Sequence, residues 1–186
     1  MEPIAARACA DPAVADALHQ RLCHFLVDAK WCDQSVRLFA AKHGINALLQ
    51  REQIEVWIVD DTGFLKQGKH SVGVQRQYTG SAGKRTNCQI GVSLSDATAT
   101  QHLPIDFELY LPHCWIYDPA RRAEARIPDT FTFKTKPQLA LDMIRRARAA
   151  GIPAGIVVSD AGYGNSYDFR ETVASMGLDY AFAVNS

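Results

Sequence analysis

Asp60 and Asp61 close the run Ile54-Glu55-Val56-Trp57-Ile58-Val59, and Asp160 closes the run Gly155-Ile156-Val157-Val158-Ser159. Both runs have the β-branched, aromatic composition of strands. In open sheets the reactive crevice lies at the carboxyl ends of strands, and a helical crossover brings two parallel strands side by side. Asp61 and Asp160 are therefore expected to face one another. Two carboxylates so placed repel unless a cation neutralises them, and hard oxygen donors with room for water suit Mg²⁺ or Mn²⁺. Such an ion activates a water or a sugar hydroxyl and stabilises the crowded phosphorus of phosphodiester cleavage or strand transfer. The bland alternative for Asp60 and Asp61 alike is a solvated strand-end turn.

Between Asp61 and Ile90 the chain carries Lys66, Lys69, Arg76, Lys84 and Arg85 against the single acid Asp61. These cations are candidate phosphate contacts. A solvated hairpin edge, where lysine guards against edge pairing, explains them equally well. His19, Cys23 and His24 lie close together and His113 abuts Cys114, but without a C-x-x-C pair this is also what a helix face produces by chance. Gly162-Tyr163-Gly164 lacks the third glycine of a dinucleotide fingerprint, so no small-molecule cofactor is expected. An aspartyl phosphatase needs an acid two residues beyond its nucleophile, whereas Gly63 stands two beyond Asp61.

The elements that must position these residues follow from periodicity. Asp11-Pro12 starts a helix reaching to about Asp28, and Asp33 caps a second, which Gly44 interrupts before Leu48-Leu49 resume its stripe. Residues 1–50 thus form a helical lead-in. Strands are expected at 54–59, 71–78, 87–95 and 105–110, with a Gly80-Ser81-Ala82-Gly83 turn, making the middle of the chain an antiparallel meander. After a polar stretch from Pro112 to Pro128 come a helix over 137–149, a buried strand over 155–160, a helix over 167–176 and a strand from Tyr180. The expected fold is an α/β mixed sheet occupying residues 51–186.

The chain has 186 residues, 47% hydrophobic and 22% charged, a balance that excludes extended disorder and suits one domain with a full core. Lys plus Arg and Asp plus Glu are equal at 20 each, so any nucleic-acid binding must come from a local patch. Five scattered cysteines and no signal peptide or apolar run of spanning length lead us to expect a soluble, cytoplasmic protein with no membrane partner.

Several long segments in order resemble a known family. Trp57-Ile58-Val59-Asp60-Asp61-Thr62-Gly63-Phe64, Gly68-Lys69-His70-Ser71-Val72-Gly73-Val74, Arg76-Gln77-Tyr78, Asn87-Cys88-Gln89, Leu109-Tyr110-Leu111-Pro112 and Asp160-Ala161-Gly162-Tyr163-Gly164 are similar to the DDE-superfamily endonuclease domain of bacterial insertion-sequence transposases. The resemblance implies an RNase-H-like fold, Mg²⁺ or Mn²⁺ as cofactor, and cut-and-paste transposition on transposon ends and target DNA, a nucleoid-bound activity that admits a homo-oligomer. It makes Asp61, directly before Thr62, the first acid and Asp160 the second. The family's third acid, a Glu on a helix beyond the strand from Tyr180, is not matched before Ser186, and Glu171 belongs to the preceding helix. Two functional expectations follow: a C-terminally truncated transposase, or an inactive remnant that at most binds DNA or a full-length partner.

Overall fold

The computed structural model of the chain describes residues 2–185, which cluster into two compact units, one up to Val36 and the other from Arg37 on. The first unit holds α1 (Glu2–Ala8) and α2 (Ala15–Asp28), joined by a single 3-10 turn at Pro12–Val14. Asp11 caps that turn, its side chain accepting from the Ala13 N–H at 2.9 Å, as the Asp-Pro pair predicts. α1 itself was not expected from the sequence. Trp31 stacks on Phe25 with ring centroids 6.3 Å apart.

α3 (Asp33–Leu49) is one unbroken helix, a correction to the expected break at Gly44. Glycine stands there because a Cβ would overlap the Leu103 side chain, so the residue marks a close approach to a strand and not a helix end. Ala41 and Ile45 enter the core from this helix.

The sheet is built on β1 (Val56–Leu65), β2 (Gln75–Thr79), β3 (Lys84–Ala97) and β4 (His102–Tyr110). Two expectations change here. β1 does not stop at Asp60-Asp61 but continues to Leu65, because β3 is long enough to pair with it over its whole length, from Val56↔Ala97 to Leu65↔Cys88. The middle of the chain is also not a plain meander: β1 lies along one edge of β3, while β2 and β4 share the other edge end to end. Ser71–Val74, expected as strand, turns instead, with Gly73 at φ 81° and the Val74 N–H bonded to the Ser71 carbonyl at 3.0 Å.

Within the expected polar stretch lie two short helices, α4 (His113–Ile116) and α5 (Pro119–Glu124), the second capped by Asp118. α4 buries Trp115, whose indole N–H donates to the Val74 carbonyl at 2.8 Å and so ties the helix to the start of β2. α6 (Lys136–Ala149), β5 (Ile156–Ser159), α7 (Ala161–Gly164), α8 (Tyr167–Ser175) and β6 (Tyr180–Phe182) complete the fold. β5 pairs parallel to β1 and β6 parallel to β5, giving the order β2-β3-β1-β5-β6 with β4 beside β3. This half-antiparallel, half-parallel sheet is an RNase-H-like arrangement.

One face of the sheet carries the core. Trp57 and Val59 of β1, Val92 and Leu94 of β3 and Val157 of β5 share it by alternation, and the buried stripe of α6, including Leu139, Met143 and Ile144, packs onto it. Full burial of each such side chain contributes roughly 1.5–3 kcal/mol, so the sheet and α6 form the rigid frame behind the strand ends. Among the described residues no helix is long and apolar enough to cross a membrane.

Candidate active site

β5 is much shorter than its neighbour. It pairs with β1 only from Val56↔Ile156 to Val59↔Ser159, so Asp60 and Asp61 are the first β1 residues beyond that pairing, and Asp160 is the first residue beyond β5. Continuing the register sets Asp160 beside Asp60, not Asp61; the expected direct opposition of Asp61 and Asp160 is thus displaced by one position. Asp61 falls by alternation on the helix-covered face, in line with Trp57 and Val59.

Two donors hold the Asp61 carboxylate. Lys136 Nζ lies 2.8 Å from Asp61 Oδ2, and the Tyr163 hydroxyl donates to the same oxygen at 3.3 Å. Lys136 is the first residue of α6, placed there by a reciprocal cap: the Gln138 N–H donates to Thr135 Oγ1 at 3.3 Å and the Thr135 N–H donates to Gln138 Oε1 at 2.8 Å. Tyr163 comes from α7, one turn beyond Asp160, and is fully buried against Phe169. Burial first, then the charges of Asp61, Asp60 and Asp160, push its hydroxyl far above the usual phenol range, so it remains a proton-bearing donor.

Asp160 caps α7. Its Oδ1 accepts from the Gly162 N–H at 2.9 Å, while Oδ2 makes no hydrogen bond among the described residues. Asp60 Oδ1 accepts from the Asp61 N–H at 2.7 Å, and its carboxyl is raised above its ordinary range, chiefly by partial burial and further by the charges of Asp61 and Asp160. Asp60, Asp61 and Asp160 therefore share one electrostatic neighbourhood, moderated by the Lys136 ammonium.

That donor set is all carboxylate oxygen, the chemistry Mg²⁺ and Mn²⁺ prefer, and a cationic group already sits against Asp61. Among the described residues no three His, Cys, Asp or Glu side chains converge tightly enough to enclose an ion. The oxygen chemistry of Asp60, Asp61 and Asp160, which act electrostatically on one another and on Tyr163, suits such a cation, with the remaining positions left to water or substrate. Glu171, exposed on α8, is not part of this group.

The five expected phosphate contacts gather at one end of the sheet. Lys66 follows β1, Lys69 lies in the next loop, Arg76 is on β2, and Lys84 and Arg85 open β3. Arg76↔Asn87 and Tyr78↔Arg85 are cross-strand pairs, which puts the two arginines on one face; Lys84 points to the other. None of the five makes an ion pair among the described residues. Asp61 pairs with Val92, seven residues along β3 from Arg85, so the carboxylates and the hairpin tip are about 23 Å apart. One phosphate cannot touch both; a length of nucleic acid can.

Lys136 and Tyr163 were missed in the sequence. The first had a local signal, because Thr135-Lys136-Pro137-Gln138 is a capping box that fixes lysine at the first turn of a helix leading back to the sheet. Its target, 75 positions away, had none.

Comparison with known proteins gives the same direction. A family described as DDE superfamily endonuclease matches residues 1–186. A probable transposase for insertion sequence element IS701 from Microchaete diplosiphon is 28% identical over 168 residues, which cover 90% of this chain and 41% of that protein. The chain thus spans about two fifths of the length of this curated relative.

Proposed function

We infer that this chain, which belongs to the DDE superfamily endonucleases, forms part of a transposase whose Asp61 and Asp160 together hold a divalent metal for DNA cleavage and strand transfer. Residues 51–186 would be the catalytic core and residues 1–50 a helical lead-in. The observation that carries the reading is the gathering of Asp60, Asp61 and Asp160 where β5 ends beside β1, with the charges of all three acting on the buried Tyr163 hydroxyl.

A bound Mg²⁺ or Mn²⁺ would polarise a phosphate oxygen and lower the pKa of an attacking water or hydroxyl. The protein's own residues do the rest. Tyr163 keeps its proton and fixes the Asp61 rotamer, the Gly162 N–H fixes Asp160, and the exposed cations of the β2–β3 hairpin supply phosphate contacts along a DNA tract.

Asp61→Asn and Asp160→Asn, each titrated with Mn²⁺ by calorimetry, test the shared site. Loss of at least tenfold in affinity in both is expected; unchanged affinity in both refutes it. A second reading, an inactive remnant that at most binds DNA or a full-length partner, is favoured by the absence of a third converging acid among the described residues. Metal-dependent nicking of supercoiled DNA by the isolated chain separates the two, since the remnant binds without cutting.

A further inference from the structure

The contact between Lys136 and Asp61 has a cost that folding alone does not explain. Lys136 opens α6, where the helix dipole presents its positive end, and a cation there is unfavourable. The capping box nevertheless fixes the residue at that position, and its Nζ sits 2.8 Å from Asp61 Oδ2. Asp61 and Lys136 are both partly exposed, with side chains 22% and 31% accessible, so water and ions reach the pair. The oxygen that the ammonium occupies is the one that accepts from the Tyr163 hydroxyl, a group that also feels the charges of Asp60 and Asp160.

An ammonium and a hydrated divalent cation cannot both take the same carboxylate oxygen without strong mutual repulsion. We propose that Lys136 is a built-in counter-ion that competes with the divalent metal for Asp61, neutralising the carboxylates when no metal is bound and leaving Asp61 Oδ2 when one binds. The inference rests on the metal-site reading above. Lys136 acts through Asp61, so it is a positioning residue.

The consequence is that metal binding is weaker than the carboxylates alone would give. Once displaced, the lysine remains tethered at the mouth of the site, where its charge faces whatever phosphate the metal draws in. Coupling of this kind would link metal occupancy to the presence of DNA, because the released ammonium then has an anionic partner.

Mn²⁺ titration by calorimetry of the full chain, without DNA, tests this on four proteins: the native chain, Lys136→Met, Lys136→Arg and Asp61→Asn. Lys136→Met is expected to bind Mn²⁺ about tenfold more tightly than the native chain, Lys136→Arg to show no gain, and Asp61→Asn to lose the binding. Equal or weaker binding by Lys136→Met, with Asp61→Asn still losing it, overturns the role of Lys136 and leaves the metal site standing. Binding that Asp61→Asn does not change overturns both. A second measurement needs no variant: in ¹³C-lysine-labelled native chain, Mg²⁺ should move the Lys136 Cε resonance to that of a freely rotating lysine. A resonance unmoved at saturating Mg²⁺ refutes displacement.

Discussion

Gly164→Ala is expected to destabilise the fold, against the usual effect of such a change in a helix. Replacing glycine by alanine where the backbone allows it stabilises a protein by about 0.4–1 kcal/mol, through the unfolded chain. Gly164 closes α7 and carries no positive φ, so nothing in its own backbone forbids alanine. The obstacle is across the gap: a Cβ would overlap the Ala183 carbonyl oxygen and lie 3.0 Å from Phe182 Cβ and 3.1 Å from the Ala183 carbonyl carbon. These are backbone and near-backbone atoms of β6 and the residues after it, which cannot swing aside as a side-chain tip would. Separating them requires α7 or β6 to shift, and overpacking of this kind costs about 1–3 kcal/mol, which outweighs the entropic gain. Because α7 carries Tyr163 and is capped by Asp160, the same shift should also weaken Mn²⁺ binding. Urea unfolding measures the first effect and calorimetry the second. A Gly164→Ala protein as stable as the native chain or more so would refute the close approach of α7 to the end of β6.

Two further outcomes are expected. Asp96 is fully buried on β3 with neither carboxylate oxygen hydrogen-bonded among the described residues, and desolvation pushes its pKa up to about 7. The folded state then holds a proton that the unfolded state releases near pH 4, so stability falls as pH rises from about 4 to about 7 and is level above that. Asp96→Asn removes the titration and should be the more stable protein at pH 8, by about 4 kcal/mol at most, with the advantage vanishing near pH 4; urea unfolding at pH 5 and pH 8 would refute this by showing a pH-independent difference. For the hairpin, Lys84→Gln with Arg85→Gln should lower the slope of log K against log salt for duplex DNA by about 0.9 for each lost phosphate contact. An unchanged slope would assign these side chains to edge protection.

Much of the frame is legible in the sequence. β5 and α8, the Gly177 stop and the helix over 136–149 are local events, written in β-branched runs, caps and periodicity. What escaped depended on partners far away in the chain. Nothing near Asp60-Asp61 says that β1 continues, because the reason is the length of β3 on its far side. Nothing near Gly44 separates a helix break from a close approach to Leu103. The helix at Pro119 was an avoidable miss, since Asp118-Pro119 is the same N-cap signal that placed the turn at Asp11-Pro12. At the site, the two aspartates were readable as strand-end acids, but the donors that hold Asp61 were not.

The site owes its existence to unequal strand pairing. β1 is paired on one edge over ten residues by antiparallel β3, and on the other over four by parallel β5. Where β5 stops, β1 goes on with one edge unpaired, and the step so formed is where Asp60, Asp61 and Asp160 collect. A crevice of this kind arises where a sheet changes from antiparallel to parallel order, as ligand sites do at points where strand order reverses. Two helix starts then furnish it. α7, beginning immediately after β5, must turn the chain within the reach of Asp160 and so brings Tyr163 underneath; α6, lying across the core face, points its first residue at the same step. This is why a pair of acids far apart in the chain can be recognised from their strand ends, while the lysine ammonium against Asp61 is seen only when the sheet is assembled.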